Sequence, residues 1–291
     1  MVREGAGGAL SADSQPARVS VLVRTRNGGE RLRAVVRAVL AQRPPVHEVV
    51  LLDSGSADGV AESLAGGPVR VVHYAVPFTH PGSSNAAARA AGGDVLVFLS
   101  QDALPLDDGC LHRLSAAVQD PGTAAAFARQ LPARNAPILE SADLARSYPA
   151  AGQSPVVLSN VCSALPRALW KQHPFDERLP LAEDLEWGEW ARSQGLSVRY
   201  EPRARVEHSH HYDAAGLSHR YRAEGAALAL LGRAPFAGSS PVRAWLRGLP
   251  GDLFRVLAAG RPGQLPEAAV YHLRQYRALA EGAAGGAAEA W

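Results

Sequence analysis

The feature that most constrains the fold is the alternation of short apolar runs with helical patterns across the N-terminal third of the chain. Runs typical of buried strands lie at 18–25, 49–53, 69–74 and 94–99. The segment 30–42 carries apolar residues at helical spacing, and the alanine-rich segment 83–93 is also typical of a helix. This alternation predicts an α/β protein with a mostly parallel central sheet flanked by helices.

Polar residues stand where several of these runs end, at Thr25, Asp53 and Asp102. In parallel sheets, ligands bind beyond the carboxyl ends of the strands. Asp53, in LLDSGSADG, is either a turn residue or an acceptor of hydrogen bonds from a nucleotide base or ribose. The first strand is followed by RTRNGGE and not by G-x-G-x-x-G, which argues against a dinucleotide site.

Asp102 follows the most apolar of these runs, in DVLVFLSQDALP. A carboxylate at the end of a buried strand is costly unless something pairs with it. Mg²⁺ and Mn²⁺ prefer carboxylate ligands, and a single aspartate suits a metal whose coordination is completed by water and substrate phosphates. The alternative is a helix N-cap before ALP.

Two further clusters of ionisable side chains lie in the second half of the chain. In AEDLEW, Glu183 and Asp184 share a predicted helix start, where they either stabilise the helix dipole or supply a general base. In HSHHY, His208 and His210 share one face of a predicted strand, as surface residues or as metal ligands. Zinc normally needs more protein ligands, so a mixed site with Asp102 favours Mn²⁺ or Mg²⁺.

Composition limits the classes of binding partner and the cellular compartment that we expect for this protein. The formal charge of +2 over 291 residues gives no basic field for nucleic acid. The two cysteines, Cys110 and Cys162, make neither a disulfide framework nor a metal spacing, which favours a reduced, cytoplasmic protein. We find no signal peptide and no apolar run long enough to span a bilayer.

The regular alternation ends near residue 122, and the chain after residue 219 is helical and amphipathic. We expect an α/β domain at 18–222, divided into 18–121 and 122–222, and a helical C-terminal extension at 223–281. The Gly- and Ala-rich ends, 1–17 and 282–291, are expected to be flexible. The segment 241–279 mixes Trp, Leu and Phe with Arg, which is typical either of a peripheral helix on the inner leaflet or of packing against the α/β domain or a dimer partner.

Seven motifs in order resemble a family 2 glycosyltransferase with the GT-A fold, in its bacterial rhamnosyltransferase-like branch. They are VRTRN, DSGSADG, FTHPGSSNAAARAAGGDVLVFLSQDALP, ARQLPARN, SNVCSALPR, FDERLPLAEDLEW and VEHSHHY. The resemblance runs from about residue 18 to residue 222 and implies a Rossmann-like nucleotide-sugar half followed by an acceptor half.

The resemblance also implies roles for individual residues. Asp184 would be the catalytic base with Glu183 in support, and Asp102 and His208 would hold Mn²⁺ or Mg²⁺. The donor nucleotide sugar would be bound by Arg24, Thr25, Asp53, Asn85, Ser100 and Gln101.

Two positions depart from the family pattern. Ser100 replaces the first acid of Asp-x-Asp, and Ser84 stands where the branch often has Arg, which leaves a phosphate contact missing or supplied by Arg89 or another arginine. The processive signature Gln-x-x-Arg-Trp is absent from the sequence, so we expect one sugar to be transferred per encounter.

The implied reaction is an inverting, metal-dependent and non-processive sugar transfer, with rhamnose favoured. The donor would be a dTDP-, UDP- or GDP-linked sugar, and the acceptor a hydroxyl of a glycan or of a lipid-linked glycan for cell-surface polysaccharide. Two alternatives stay open, a sugar-phosphate nucleotidyltransferase and a non-catalytic nucleotide-sugar-binding module on the same fold.

Overall fold

The computed structural model describes residues 17–209, 213–236 and 239–285. The strands in these ranges are β1 Val19–Thr25, β2 Glu48–Asp53, β3 Val69–His73, β4 Val95–Ser100, β5 Leu104–Pro105, β6 Thr123–Leu131, β7 Cys162–Pro166 and β8 Ser197–Glu207. The α-helices are α1 Gly29–Leu40, α2 Val60–Ser63, α3 His80–Ala90, α4 Cys110–Ala117, α5 Ile138–Ser147, α6 Arg167–Gln172, α7 Glu183–Ser193, α8 Ala214–Leu230, α9 Pro241–Ala258 and α10 Leu265–Gly285.

The strands form one sheet in the order β3-β2-β1-β4-β7-β6-β8-β5. Strands β1 to β4 pair in parallel, as the N-terminal alternation predicts. Beyond β4 the sheet is mixed, because β7 runs antiparallel to both β4 and β6, whereas β8 is parallel to β6. The predicted fold class, a mostly parallel α/β sheet with helices on both sides and a helical C-terminal part, is confirmed.

Side-chain alternation along β1 explains how the two faces of the sheet are covered. Val21 and Val23 pack with α1 in one apolar cluster, while Leu22 packs with α3 in another. Helix α3 contributes alanines to this contact, and their small side chains let the helix lie close to the strands. A strand buried on both faces needs such a continuous apolar run.

The second half of the domain is closed by large aromatic side chains. Three of them are fully buried in the apolar cluster that also contains the alanines of α3: Phe127 of β6, Trp187 of α7, and Phe175 in the segment before α7. The indole nitrogen of Trp187 donates a hydrogen bond to the backbone carbonyl of His173, at 2.7 Å. Trp187 is therefore a core residue, and its packing fixes the position of α7.

Helices α8 and α10 cross at two glycines. A side chain at Gly225 would overlap the backbone of Leu279, and one at Gly282 would overlap the backbone of Arg222. The crossing lies in the middle of α8, which runs unbroken through the expected division between residues 222 and 223. Helix α10 also continues to Gly285, past the expected end of the extension at residue 281.

Two other expectations concern the chain ends and the membrane. Residues 1–16 and 286–291 lie outside the described residues, as do His210 and the two residues after it. No helix within the described ranges combines the length and the apolarity that a membrane crossing requires.

A buried histidine joins the C-terminal helices to the α/β domain. The Nδ1 atom of His272 on α10 lies 2.6 Å from a carboxylate oxygen of Asp252 on α9, and its Nε2 lies 3.1 Å from Asp143 on α5. Burial alone would lower the pKa of His272, but the hydrogen bonds and charges of Asp143 and Asp252 outweigh it and raise that pKa. Tyr276 stacks on the imidazole at 5.6 Å between ring centroids.

We expect this histidine to make stability depend on pH. Because its pKa is raised above the unfolded value of about 6.5, its contribution is complete below that pH and is lost as the pH rises through the folded pKa. The difference in melting temperature between wild type and His272→Phe should therefore be largest near about pH 6 and should shrink in more alkaline buffer. A difference that stays constant with pH would show that His272 is not charged in the folded protein.

Candidate active site

Parallel pairing brings the polar ends of three strands together. Thr25 pairs with Asp53 across β1 and β2, and Arg24 pairs with Ser100 across β1 and β4. The side-chain carbonyl of Gln101 accepts hydrogen bonds from the Thr25 hydroxyl, at 2.7 Å, and from the backbone N–H of Arg26, at 3.1 Å. These residues, predicted to bind the donor, thus share one edge of the sheet, and their contact with a nucleotide stays a prediction.

Asp53 is buried, and its carboxylate holds the turn that follows β2. The carboxylate accepts the backbone N–H groups of Gly55 and Ser56, at 3.2 and 3.1 Å, and also the Ser56 hydroxyl. One of its oxygens lies within 4.8 Å of a carboxylate oxygen of Glu62 and of a ring nitrogen of His73. Glu62 and His73 are exposed, and these three residues could together hold a metal ion. Asp53 therefore acts as a turn residue here, and the nucleotide contact predicted for it would be additional.

Arg24 points from β1 toward α3 and α7. Its guanidinium donates to the carbonyl oxygen of His80 at 2.9 Å and lies 3.8 Å from the carboxylate of Glu183. Burial, with the charges of Arg24 and Arg220, lowers the pKa of His80 to about 2. His80 is therefore neutral, and its Nδ1 accepts a further hydrogen bond from Arg24 at 3.2 Å.

Asn85 is fully buried, and its amide bonds to protein groups. The side-chain nitrogen donates to the carbonyl of Phe175 and to Glu177, both at 2.9 Å. The side-chain oxygen accepts the Trp170 indole N–H at 3.1 Å and the Phe175 backbone N–H at 3.0 Å. These four bonds tie α3 to the segment before α7, so Asn85 is a structural residue in this arrangement, and its predicted donor contact remains untested.

The two departures from the family pattern also have a structural setting. The Ser84 hydroxyl lies 3.5 Å from the Glu183 carboxylate, and the guanidinium of Arg24 lies 3.8 Å from the same acid. Arg89 is more than half exposed and lies 3.6 Å from Glu177. Ser100 begins the tight turn to Asp102, in which its carbonyl accepts the N–H of Ala103 at 3.0 Å.

The two predicted metal ligands meet at the end of the turn after β4. The Nε2 atom of His208, which follows β8, lies 3.6 Å from the carboxylate of Asp102. His208 is buried, whereas the Asp102 side chain is one-third exposed. Arg31 holds the backbone of this turn by donating to the Asp102 carbonyl at 3.0 Å.

Hydrogen bonding to the other ring nitrogen fits His208 for a metal. The Nδ1 atom lies 2.9 Å from the side-chain oxygen of Gln130, which is an acceptor, so Nδ1 carries the proton. The Nε2 lone pair then faces Asp102. One imidazole nitrogen and one carboxylate form a donor set that suits Mn²⁺ and leaves positions for phosphate oxygens and water.

Glu183 and Asp184, the first two residues of α7, directly follow a residue with a strained backbone conformation. Ala182, immediately before the helix, has φ of +63°, a left-handed conformation that is uncommon for residues other than glycine. The carboxylate of Asp184 accepts the backbone N–H groups of Asn160 and Leu185, each at 2.9 Å. Strain of this kind is often stored at functional sites.

Burial raises the pKa of both acids. For Glu183, burial and the charge of Asp184 raise it, against the opposing charge of Arg24. For Asp184, burial raises it, and the N–H groups of Asn160 and Leu185 and the charge of Arg220 oppose the rise. A carboxylate with a raised pKa is a better general base near neutral pH.

Two adjoining cavities, of about 390 and 480 Å³, reach both the carboxylate predicted to be the base and one of the two predicted metal ligands. The other predicted ligand, Asp102, lines a separate cavity with Arg31 and Glu207. Asp184 and His208 line both adjoining cavities. Arg220 of α8 and Tyr148 also line both, and neither was identified from sequence, because an isolated Arg or Tyr carries no motif. The first cavity continues between α5, α8 and α10, where Glu267, Tyr271 and Arg274 line it.

Residues 20–137 match the model of the glycosyl transferase family 2. The chain is 28% identical to the O-antigen chain rhamnosyltransferase RfbN of Salmonella typhimurium over 221 residues, which is 70% of each protein. It is also 28% identical to the O-antigen chain rhamnosyltransferase WbaN of Salmonella anatum over 222 residues, or 69% of each.

Among solved structures, the fold is similar to that of the mannosyltransferase PcManGT from Pyrobaculum calidifontis, determined in complex with GDP-Man and Mn²⁺. The TM-score is 0.58 at 20% sequence identity, with 95% of this chain and 78% of the other covered. At this identity the similarity supports the GT-A fold, and the metal and nucleotide belong to that protein.

Proposed function

We propose that this protein is a glycosyltransferase of the family 2 type, which transfers a sugar, rhamnose in preference to others, from a nucleotide-diphosphate donor to a hydroxyl of a glycan acceptor. The proposal includes inversion at the anomeric carbon, dependence on a divalent metal and release after each transfer. The names of the two curated relatives support rhamnose and bacterial surface polysaccharide.

The observation that carries the proposal is the shared cavity. Asp184 and His208 line the same two cavities, and Asp102 lies 3.6 Å from His208. The candidate base and one candidate metal ligand, His208, therefore open onto one space, and the second candidate ligand, Asp102, lies beside His208 in a separate cavity. A base and a metal close to one space are what in-line displacement at a sugar carbon requires. The residue types match both demands, a carboxylate for proton removal and mixed oxygen and nitrogen ligands for Mn²⁺ or Mg²⁺.

Asp102 and His208 would hold the metal, and when bound it would stabilise the negative charge that develops on the leaving diphosphate. The residues of the β1, β2 and β4 ends would hold the nucleoside, with Thr25 and Gln101 already joined by a hydrogen bond. Arg220 reaches both cavities and adds a positive charge near the reacting groups.

Asp184 would remove the acceptor proton at its carboxylate. Its two backbone hydrogen bonds orient the side chain, and its raised pKa increases its affinity for the proton. Glu183 is buried against Arg24 and lines only the larger cavity of the two, which supports a positioning role. The charge of Asp184 is one of the causes that raise the pKa of Glu183.

We expect Asp184→Asn to lower kcat by about 10²-fold or more, because the substitution keeps the shape but removes the proton acceptor. Donor affinity, measured by calorimetry with Mn²⁺, should stay within a few fold of wild type, since a base acts mainly in the transition state. Glu183→Gln should lower kcat less than Asp184→Asn does.

Glu186→Gln is the matched control. Glu186 lies in the same first turn of α7, but its carboxylate contacts His173 at 2.9 Å and not the cavity. It should retain nearly wild-type kcat. If Asp184→Asn transfers sugar at the wild-type rate, the base lies elsewhere and Glu183 becomes the next candidate.

We expect a thermal-shift screen of dTDP, UDP and GDP, each with Mn²⁺, Mg²⁺ or chelator, to identify the donor nucleotide and the metal requirement. Protection by the preferred nucleotide should require the metal, because the nucleotide phosphates complete its coordination. Asp102→Ala should abolish the metal-dependent part of this protection, and His208→Ala should weaken it.

Asp108→Ala provides the comparison, since this exposed acid pairs with Arg43 at 3.7 Å, away from the turn that holds Asp102. It should behave as wild type. Equal metal-dependent protection of Asp102→Ala and wild type would place the metal elsewhere, and protection by nucleoside triphosphate and sugar phosphate with release of pyrophosphate would instead indicate a nucleotidyltransferase.

A further inference from the structure

Helix α9 turns an apolar face toward solvent. Val242, Leu246, Phe254 and Leu257 are 41, 54, 70 and 55% exposed. Their spacing of four, eight and three residues puts them within one arc of the helix surface. A contiguous exposed apolar strip of this kind marks an interaction site on a soluble domain.

The opposite face of α9 is firmly attached, so the exposure does not result from a loosely held helix. The Trp245 indole N–H donates to the carbonyl of Ala269 on α10 at 2.8 Å. Val256 is buried against Leu139 and Ala268, and Asp252 is buried against His272. The outward strip is therefore presented in a defined orientation.

The charged residues of α9 indicate that a partner of this face would be negatively charged. Arg243 and Arg247 are exposed beside the apolar strip, and Arg255 follows one turn after Asp252. Asp252 is the sole acid in the helix sequence, and it points inward to His272. The outward face thus combines apolar side chains with positive charges and no negative one.

We propose that this face of α9 lies on the surface of an anionic phospholipid bilayer. Leucine and phenylalanine side chains would enter the boundary between headgroups and acyl chains, while Arg243 and Arg247 would contact lipid phosphates. A symmetric dimer through the same face would bring the arginines of both copies together without an acid to neutralise them. The inference concerns attachment and does not depend on the sugar donor or on the metal.

Flotation of the full-length protein with phosphatidylcholine vesicles, with and without phosphatidylglycerol, tests this proposal. We expect co-flotation with the anionic vesicles at low salt and none with the neutral ones. The double substitution Leu246→Ser with Phe254→Ser should reduce the bound fraction strongly by removing inserted apolar area. Arg243→Glu with Arg247→Glu should weaken partitioning about tenfold or more, since each basic residue contributes near an anionic surface.

Controls use the same changes on other helices. Leu40→Ser removes an exposed leucine of α1, and Arg37→Glu with Arg192→Glu reverses two exposed arginines elsewhere. Both should bind vesicles as wild type does. No flotation with anionic vesicles, or flotation that the α9 variants leave unchanged, overturns the proposal, and so does a concentration-dependent dimer that the serine variant abolishes.

A second inference comes from the surroundings of His208 and rests on the proposed function. Gln130 of β6 donates from its side-chain nitrogen to the Ser159 hydroxyl at 3.0 Å, which turns its oxygen toward His208. That oxygen lies 2.9 Å from Nδ1. The backbone N–H of His208 donates to the carbonyl of Leu131 at 2.9 Å, so the ring is held beside Gln130 by the strand itself.

We infer that Gln130 is a positioning residue that keeps the Nε2 lone pair of His208 directed at Asp102. Histidine ligands depend on such an acceptor at the second nitrogen, and its loss typically costs about 10- to 100-fold in metal affinity. Gln130→Leu should therefore weaken Mn²⁺ binding about tenfold or more, whereas Gln130→Glu keeps an acceptor at the same place and should largely preserve it.

Titration of Mn²⁺ by electron paramagnetic resonance, in the presence of dTDP, UDP or GDP as the thermal screen selects, measures this affinity without turnover. Circular dichroism checks that both variants are folded. If wild type binds no Mn²⁺, the metal part of the proposed function fails. If wild type binds and Gln130→Leu binds equally well, the role of Gln130 is overturned and the metal site stands.

Discussion

Parallel pairing of β1 with β2 and β4 is the constraint on which the candidate active site depends. Because all three strands end at the same edge, residues distant in sequence become neighbours, as the pairing of Thr25 with Asp53 and of Arg24 with Ser100 shows. The pairing also sets where the turn after β4 emerges. Asp102 is carried by that turn, and its distance from His208 follows from the register of β8 against its neighbours.

Burial of charge is the second determinant of the site. Glu183 and Asp184 are adjacent acids in a largely apolar domain, and the fold compensates for them with Arg24, with backbone N–H groups and with Arg220. The compensation is incomplete, because the pKa of each acid remains raised. An acid kept in this condition can accept a proton from a substrate hydroxyl, whereas full neutralisation by close ion pairs would make it a poor base.

The C-terminal helices, which the sequence predicts to be an extension, also line the cavities of the candidate site. Helix α8 begins nine residues before the division expected from sequence and carries Arg220 into both cavities. Helix α10 packs on α8 at Gly225 and Gly282 and lines the smaller cavity with Tyr271. The buried contact of His272 with Asp143 joins these helices to α5, so the cavity wall and the outward face of α9 form parts of one packed unit.

The sequence by itself determined the α/β class, the strands β1 to β4 and the residue types of the candidate site. Apolar periodicity indicates buried strands directly, and Asp102, Asp184 and His208 lie in short motifs that can be recognised from the sequence. Strand β6 escaped prediction because alanine, a residue depleted in strands, occupies four of its nine positions.

Only the tertiary structure decided how these residues are used. The four bonds of Asn85, the position of Gln130 beside His208 and the entry of Arg220 from α8 all join segments far apart in the chain. Local pattern carries no information on such contacts, since any of many polar residues could occupy them. What selects the partners is the packing of the sheet and helices, which places particular donors and acceptors within hydrogen-bond distance and excludes water from between them.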